Sequence, residues 1–287
     1  MDLKKVTVIT IIKNAVSANR AHFFDKCIES VAIQTYSNIE HLIIDGASND
    51  GTLDLIKEYA DKYDRVKYVS ESDNGIYDAM NKGLALATGD YIAIMNSDDF
   101  YSKNNAVEML VNKLEKEKSS WIYGVAELQK ENENTPYMIR KTRMKKPFLY
   151  MPVCHQAMLV KKEMFDKYGY FDTDFKIAGD YHFLLRMVLG GERYSFLEEK
   201  ICIFTEGGLS HNNPNCGFED ALALEKLLPE ITNEVAKGIK TNNFVPLNIM
   251  NKLIHNQSLW QKIYLSFFNI TSYFESKYKK QRAKKTN

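Results

Sequence analysis

Two adjacent carboxylates, Asp98 and Asp99, close the run Gly89-Asp90-Tyr91-Ile92-Ala93-Ile94-Met95-Asn96-Ser97. Tyr91 to Met95 has strand character, and a packed strand cannot bury two carboxylates side by side without a compensating charge. At the carboxyl end of a strand in an open α/β sheet, the same pair sits in a ligand crevice. There it suits a divalent cation held against a phosphorylated ligand, because Mg²⁺ commonly takes one or two protein carboxylates and fills its shell with phosphate oxygens and water. A solvated strand-to-loop turn is the alternative, since Asn, Ser and Asp are ordinary turn formers. Asp45 ends another strand-like run, and Asp73 stands in the loop after a third. If these strands are parallel, all four acids meet at one rim. Such a cluster repels itself unless a cation or hydrogen-bond donors compensate it.

The elements that would position these acids alternate. Strand patterns at Val6–Ile12, Glu40–Ile44, Val66–Val69 and Tyr91–Met95 are separated by helical spacing at Phe23–Ile33, at Leu53, Ile56 and Tyr59-Ala60, and at Ile76–Ala87. Ser48-Asn49-Asp50-Gly51-Thr52 supplies capping residues for the second helix, and Thr88-Gly89 suits a glycine C-cap for the third. A helix follows from about Asn104 to Glu117. Strands joined through helices of this length call for a parallel sheet with right-handed crossovers. The alternation breaks near Ser119. Trp121–Leu128 reads as a strand, Gln129–Pro147 as a loop or edge hairpin, and Ala157–Val160 as a strand before a short helix from Lys162. A helix from about Tyr181 to Leu189 and short strands at Tyr194–Leu197 and Ile201–Phe204 follow, and the remainder looks mainly helical.

The 287 residues give room for a domain of about 200–230 residues and an appendage. Hydrophobic content of 45%, charged content of 26% and a net charge of +1 describe a soluble globular chain with no global field toward nucleic acid. Cys27, Cys154, Cys202 and Cys216 lack paired spacing and read as reduced thiols. Met1-Asp2-Leu3-Lys4-Lys5 has no apolar signal core, and no uncharged apolar stretch approaches the roughly 18–20 residues that span a bilayer. A cytoplasmic location is expected. From Lys277 the chain is strongly basic, after Leu259, Trp260, Ile263, Tyr264, Phe267, Phe268, Ile270 and Phe274 at mostly helical spacing. That combination suits a peripheral seat on the anionic cytoplasmic face of the inner membrane. A terminal helix docked on the main domain, with a solvated tail, accounts for it equally.

Residues 6 to about 205 resemble a family 2 glycosyltransferase of the bacterial cell-surface polysaccharide type. The resemblance is carried by Val6–Asn14, by Ile43-Ile44-Asp45-Gly46-Ala47-Ser48-Asn49-Asp50-Gly51-Thr52, and by Glu71-Ser72-Asp73-Asn74-Gly75-Ile76-Tyr77-Asp78-Ala79-Met80-Asn81-Lys82-Gly83. Asn96-Ser97-Asp98-Asp99, Cys154-His155-Gln156 and Ala178-Gly179-Asp180-Tyr181-His182 complete it. It implies a GT-A fold, an α/β architecture whose mostly parallel, Rossmann-like central sheet is flanked by helices. Residues 1–210 would form the catalytic domain, nucleotide-binding over 1–118 and acceptor-side over 119–210. Residues 211–287 would form a helical extension with a basic tail.

The resemblance further implies inverting transfer of a sugar from a nucleotide-diphosphate donor, a UDP-sugar favoured, to a hydroxyl of a glycan or lipid-linked oligosaccharide, assisted by Mn²⁺ or Mg²⁺. Donor contacts would come from Ile11, Lys13, Asp45, Asp73, Asn81, Lys82 and Asp98. Asp99 is the expected direct metal ligand, with Asp98 nearer the ribose or donor sugar. The usual double acid after the second strand is here Asp45-Gly46, which removes any role of the second acid. On its own residues Asp180 reads as an N-cap; by resemblance it is the general base. The helix dipole keeps it ionised but weakens it as a base, so burial is expected to restore basicity. His155 and Gln156 could face the acceptor or serve as structural polar groups. His211 could add a metal ligand or belong to a surface loop, and Gly207-Gly208 could let that loop close over donor. Two rivals are a nucleotidylyltransferase, poorly matched by Ile12-Lys13-Asn14-Ala15-Val16 where a glycine-rich basic loop belongs, and a non-catalytic protein that keeps the fold.

Overall fold

The computed structural model describes residues 3–133, 135–140, 144, 151–208 and 215–227. Strands β1 (Val6–Ile12), β2 (Ile39–Asp45), β3 (Val66–Ser70) and β4 (Tyr91–Ile94) alternate with helices α1 (Ala21–Ala32), α2 (Thr52–Lys62) and α3 (Ile76–Leu86). They pair in parallel in the order β3-β2-β1-β4. Both faces of β1, β2 and β4 are covered, and these strands are almost wholly buried, whereas β3 at the edge exposes Lys67, Tyr68 and Ser70. On β1, Val6, Val8 and Ile12 pack toward α1 and its neighbours, while Ile9 and Ile11 pack toward α3. The register sets Ile12 opposite Asp45 and Asp45 opposite Ser70, so the carboxyl ends of three strands share one row.

The second half departs from a wholly parallel sheet. It contributes β5 (Phe100–Tyr101), α4 (Ala106–Glu117), β6 (Trp121–Gln129), β7 (Met138–Arg140), β8 (Met158–Lys161), α5 (Lys162–Tyr168), α6 (Gly179–Leu189), β9 (Tyr194–Thr205) and α7 (Cys216–Leu227). β8 inserts antiparallel between β4 and β6, β9 lies parallel to β6, and β5 closes the edge antiparallel to β9. This reversal has a positional consequence. β4, β6 and β9 all end at the same rim, and the start of β8, preceded by a 3₁₀ turn at His155–Ala157, lies there as well.

Several local expectations change. The two short strands read at Tyr194–Leu197 and Ile201–Phe204 are one strand, β9, bulged against β6 where the register jumps from Tyr123↔Phe196 to Ala126↔Cys202. Gly124 stands at that break, and a Cβ there would collide with Ile201 Cγ1. The polar stretch after Gln129 is a hairpin over its described part, with β7 pairing β6. No helix cap forms at Gly89. α3 ends at Leu86 with extended Ala87 after it, and Gly89 instead lies against β1. A Cβ on Gly89 would stand 2.6 Å from the Thr7 backbone nitrogen and 2.9 Å from the Lys5 carbonyl oxygen. The proposed tail helix and basic C-terminus lie outside the described residues; among those described, no helix is long and apolar enough to cross a membrane.

Two of the three atoms facing Gly89, the Thr7 nitrogen and the Lys5 carbonyl oxygen, are backbone and cannot swing aside. Gly89→Ala is expected to lower unfolding free energy by about 1–3 kcal/mol, seen as a lower urea midpoint at unchanged slope. An unchanged midpoint would contradict the packing described.

Candidate active site

The shared rim opens onto a cleft of about 780 Å³. Ile11, Lys13, Asp73, Asp98, Asp99, His155, Gln156 and Asp180 all line it, although they come from five separate chain segments. The parallel half supplies Ile11 and Lys13 from the end of β1 and Asp73 from the loop after β3. The turn after β4 supplies Asp98 and Asp99, and the entry to β8 supplies His155 and Gln156. Asp180 lies in the first turn of α6.

Asp98 and Asp99 differ sharply. Asp99 is fully buried: its Oδ2 accepts from Gln156 Nε2 at 2.6 Å and its Oδ1 from the Thr205 backbone N–H at 2.8 Å. Burial, then the neighbouring Asp98 charge, pushes its carboxyl well above the usual range. Asp98 keeps 18% side-chain exposure and sits 2.7 Å from Arg20 Nη2. Burial raises it too, against the opposing Arg20 charge. Asp99 is committed to Gln156 and Thr205, and Asp98 is the carboxylate presented to the cleft. Gln156, 2% exposed, props Asp99 and itself accepts from Cys154 Sγ at 2.8 Å.

The donor set suits a cation that arrives with a diphosphate. Among the described residues no three His, Cys, Asp or Glu side chains converge as a cage. A Mg²⁺-type ion does not need one, because one or two carboxylates suffice when phosphate oxygens and water complete the shell. Two adjacent carboxylates whose ionisation burial opposes are the kind of pair a divalent cation relieves.

Asp180 is held from three directions. Its Oδ2 lies 2.8 Å from His155 Nδ1, and its Oδ1 accepts from Tyr77 Oη at 3.1 Å and from the Tyr181 backbone N–H at 2.9 Å. Burial alone would raise its carboxyl. The hydrogen bond and charge of His155, with Tyr181 and Tyr77, outweigh that and hold it below the usual range. The expected recovery of basicity through burial is therefore not seen. His155 moves the other way: burial disfavours the charged ring, but Asp180 outweighs it and raises the imidazole above its ordinary value. His155 Nε2 is buried without a hydrogen-bond partner among the described residues. Gly179 is required here, because a Cβ would stand 2.8 Å from the Tyr77 ring.

Other expected donor residues are not brought to the cleft. Asp45 is buried, its carboxylate accepting from Ser48 N–H at 3.0 Å, Ser48 Oγ at 2.5 Å and Ser70 Oγ at 2.6 Å, which ties the loops after β2 and β3 together. Asn81 spends its amide on the Phe171 backbone, donating to the carbonyl at 2.8 Å and accepting from the N–H at 2.9 Å. Lys82 Nζ donates to Ser72 O at 2.6 Å and pairs with Glu71 at 3.1 Å. Asp73 remains at the cleft, 3.9 Å from Lys13 Nζ. A side chain at Gly46 would collide with Asp73 Oδ2, so the space of the missing second acid is filled by a carboxylate from the next loop. His211 lies outside the described residues. Gly207, at φ +97°, and Gly208 pass over Arg20 and Asp98 at the rim.

Among the lining residues that sequence reasoning passed over are Arg20, Tyr77, Thr205 and Asp220. Arg20 also pairs with Glu131 at 2.6 Å, bridging the two halves of the sheet. The signal for it was indirect, namely that buried Asp98 needs a counter-charge. Thr205 acts through its backbone and leaves no side-chain signature. Asp220, on α7, is pushed up to about 7 by burial, then by the charges of Asp180 and Glu219.

Residues 7–169 match the profile of glycosyl transferase family 2. An uncharacterized glycosyltransferase of Mycobacterium tuberculosis is 32% identical over 223 residues, covering 75% of this chain and 80% of that protein. A PGL/p-HBAD biosynthesis glycosyltransferase of Mycobacterium bovis is 28% identical, covering 58% of this chain and 65% of that one. Among solved structures, Staphylococcus aureus TarS 1-349 in complex with UDP-GlcNAc is similar at a TM-score of 0.62 and 16% identity, covering 97% of this chain and 92% of that chain. A mannosyltransferase from Pyrobaculum calidifontis in complex with GDP-Man and Mn²⁺ is similar at a TM-score of 0.56 and 20% identity, covering 92% and 74%. At these identities the structural likeness shows the GT-A fold.

The Asp180–His155 pair makes stability depend on pH. The raised imidazole contributes fully below its unfolded value and loses its contribution as pH rises through the folded one. The depressed carboxylate contributes above its unfolded value and loses it as pH falls through the folded one. The stability gap between wild type and His155→Gln is therefore expected to peak between the ordinary carboxylate and imidazole values and to shrink as pH rises past the raised His155 value. Urea titrations from about pH 5 to about pH 8.5 read this directly; a gap that widens with pH would contradict it.

Proposed function

The chain belongs to glycosyl transferase family 2, and from that premise we propose that it is an inverting, metal-assisted transferase. It moves a sugar from a nucleotide-diphosphate donor, UDP-linked by preference, to a hydroxyl of a glycan or lipid-linked acceptor. The observation that carries this reading is the presence of Asp98 and Asp180 in the lining of one cleft. One is a carboxylate suited to a cation; the other is a hydrogen-bonded, ionised carboxylate. The neighbours bound to UDP-GlcNAc and GDP-Man support an activated sugar as the donor.

In the proposed reaction the acceptor oxygen attacks the anomeric carbon from the side opposite the diphosphate. The bond from that carbon to the phosphate oxygen breaks, and its electron pair leaves with the nucleoside diphosphate. Asp180 takes the hydroxyl proton. Its Oδ2 faces His155 Nδ1 and its Oδ1 accepts from the Tyr181 N–H, with the single Tyr77 hydroxyl proton shared between Oδ1 and the Ile177 carbonyl. A carboxylate held below its usual range is ionised throughout the neutral region. It accepts the proton as the attacking hydroxyl acidifies on bonding to carbon. His155 and Tyr77 fix the direction of that carboxylate. Asp98 would hold the cation, with buried Asp99 behind it, and the cation would supply neutralisation of the charge on the departing diphosphate. Lys13, beside Asp73, adds positive charge to the lining of the cleft.

Two measurements test this. Asp180→Asn is expected to lower kcat by about 10²–10⁴-fold while UDP affinity changes by no more than about twofold; near-wild-type turnover would remove Asp180 from the mechanism. A thermal-shift panel of nucleotide sugars is expected to show one donor class stabilising wild type only with Mn²⁺, by about 2.7 kcal/mol at a hundredfold excess over Kd. EDTA or Asp98→Asn should abolish that stabilisation. Equal stabilisation by donor with and without metal would refute metal assistance.

A further inference from the structure

Helix α7 and the segment that carries the base both lie beyond the residues matched by the family profile, and α7 grips that segment. One oxygen, Glu219 Oε2, accepts from three consecutive backbone N–H groups: Lys176 at 3.0 Å, Ile177 at 2.7 Å and Ala178 at 3.0 Å. Ala178 is the N-cap of α6 and has no side chain with which to cap it. The opening N–H groups of a helix have no partner within it, and a Ser or Asp cap would ordinarily serve one of them. Here a carboxylate from a different helix holds the turn that leads into α6. Farther along α7, Lys226 Nζ pairs with Asp172 at 2.6 Å and Asp174 at 2.7 Å, so the same turn is fastened at its other end.

The opposite side of this turn is fastened by α3. Tyr77 Oη donates to Ile177 O at 2.5 Å as well as reaching Asp180, and Asn81 clamps Phe171. Beyond Asp180, α6 buries Tyr181, Leu184, Leu185 and Met187 completely, so the helix itself has ample packing without Glu219. What Glu219 adds is the placement of residues 176–178, two residues ahead of the reactive carboxylate.

We propose that Glu219 is a positioning residue: by fixing the 176–178 backbone it sets the direction in which Asp180 points into the cleft. This rests on Asp180 acting as the base. Misplacing a reacting group by about 1 Å can cost on the order of 10²-fold in rate without touching ligand affinity.

The experiment is a double-mutant cycle on the full chain. Its probe is Mn²⁺-dependent hydrolysis of whichever of UDP-GlcNAc, UDP-glucose, UDP-galactose or GDP-mannose stabilises the wild type, with water as acceptor. Glu219→Ala is expected to lower kcat by about 10–100-fold while donor KM and UDP affinity stay within about twofold. Glu219→Gln, which keeps an acceptor oxygen, should recover most of the rate. In the Asp180→Asn background Glu219→Ala should cause no further loss, because groups that act as a unit are non-additive. If Glu219→Ala melts without a cooperative transition, the cycle is run with Glu219→Gln, whose smaller kcat deficit should likewise vanish beside Asp180→Asn. An unaltered kcat, a loss carried in KM, or a loss that multiplies on the residual rate of a strongly impaired Asp180→Asn would overturn the positioning role alone. A fully active Asp180→Asn would overturn the base assignment and the positioning role with it.

Discussion

A carboxylate that cannot reach water has to be satisfied by the protein around it, and Asp99 sets this requirement at the centre of the molecule. Its two oxygens are answered from two places, by the Gln156 amide at the entry to β8 and by the Thr205 N–H at the end of β9. Both partners belong to the half of the sheet in which strand direction reverses, whereas Asp99 follows the last strand of the parallel half. Leaving either oxygen unpaired in this environment would cost several kcal/mol by the usual penalty for buried polar groups, roughly 2–7. The two halves are therefore held in one relation by the group that lies behind Asp98. The cleft, lined from both halves, is where they meet.

Around this anchor the charges are sorted. Lys13 with Asp73, and Arg20 with Asp98, form one set of paired lining charges; Asp180 with His155, and Asp220, form another. Cations beside carboxylates suit a polyanionic ligand that brings its own metal. The second group suits proton transfer, because its members shift one another's ionisation. A single cleft thereby carries two electrostatic environments, and α7 contributes to the second although it comes last among the described elements.

The sequence was readable where local rules decide the outcome. Alternating strands and helices to Glu117 follow from apolar periodicity, and the convergence of Asp73, Asp98 and Asp99 follows from strand ends sharing a rim, whereas Asp45, expected with them, does not line the cleft and Asp180 was named through the family resemblance. What stayed hidden depends on partners distant in sequence. Nothing in Asp98-Asp99 says which carboxylate turns inward, since Gln156 and Thr205 decide it. Gly89 looked like a helix cap because glycine serves both left-handed turns and close approaches, and here the approach of β1 is the reason. Asn81 sits in a motif that suggests ligand contact, but the Phe171 backbone has claimed both ends of its amide. β5, two residues long, carries too little pattern to read, and it exists because β9 offers an edge.

Gly46 has one more consequence. The volume where its side chain would begin is held by the Asp73 carboxylate, which the Gly75 N–H also fixes at 3.0 Å. Negative charge at that point of the wall is thus contributed by a loop rather than by the strand that precedes it. An acid restored at 46 and the acid present at 73 compete for one volume, so the pair behaves as a single exchangeable position. A substitution at either residue acquires meaning only when the identity of the other is known.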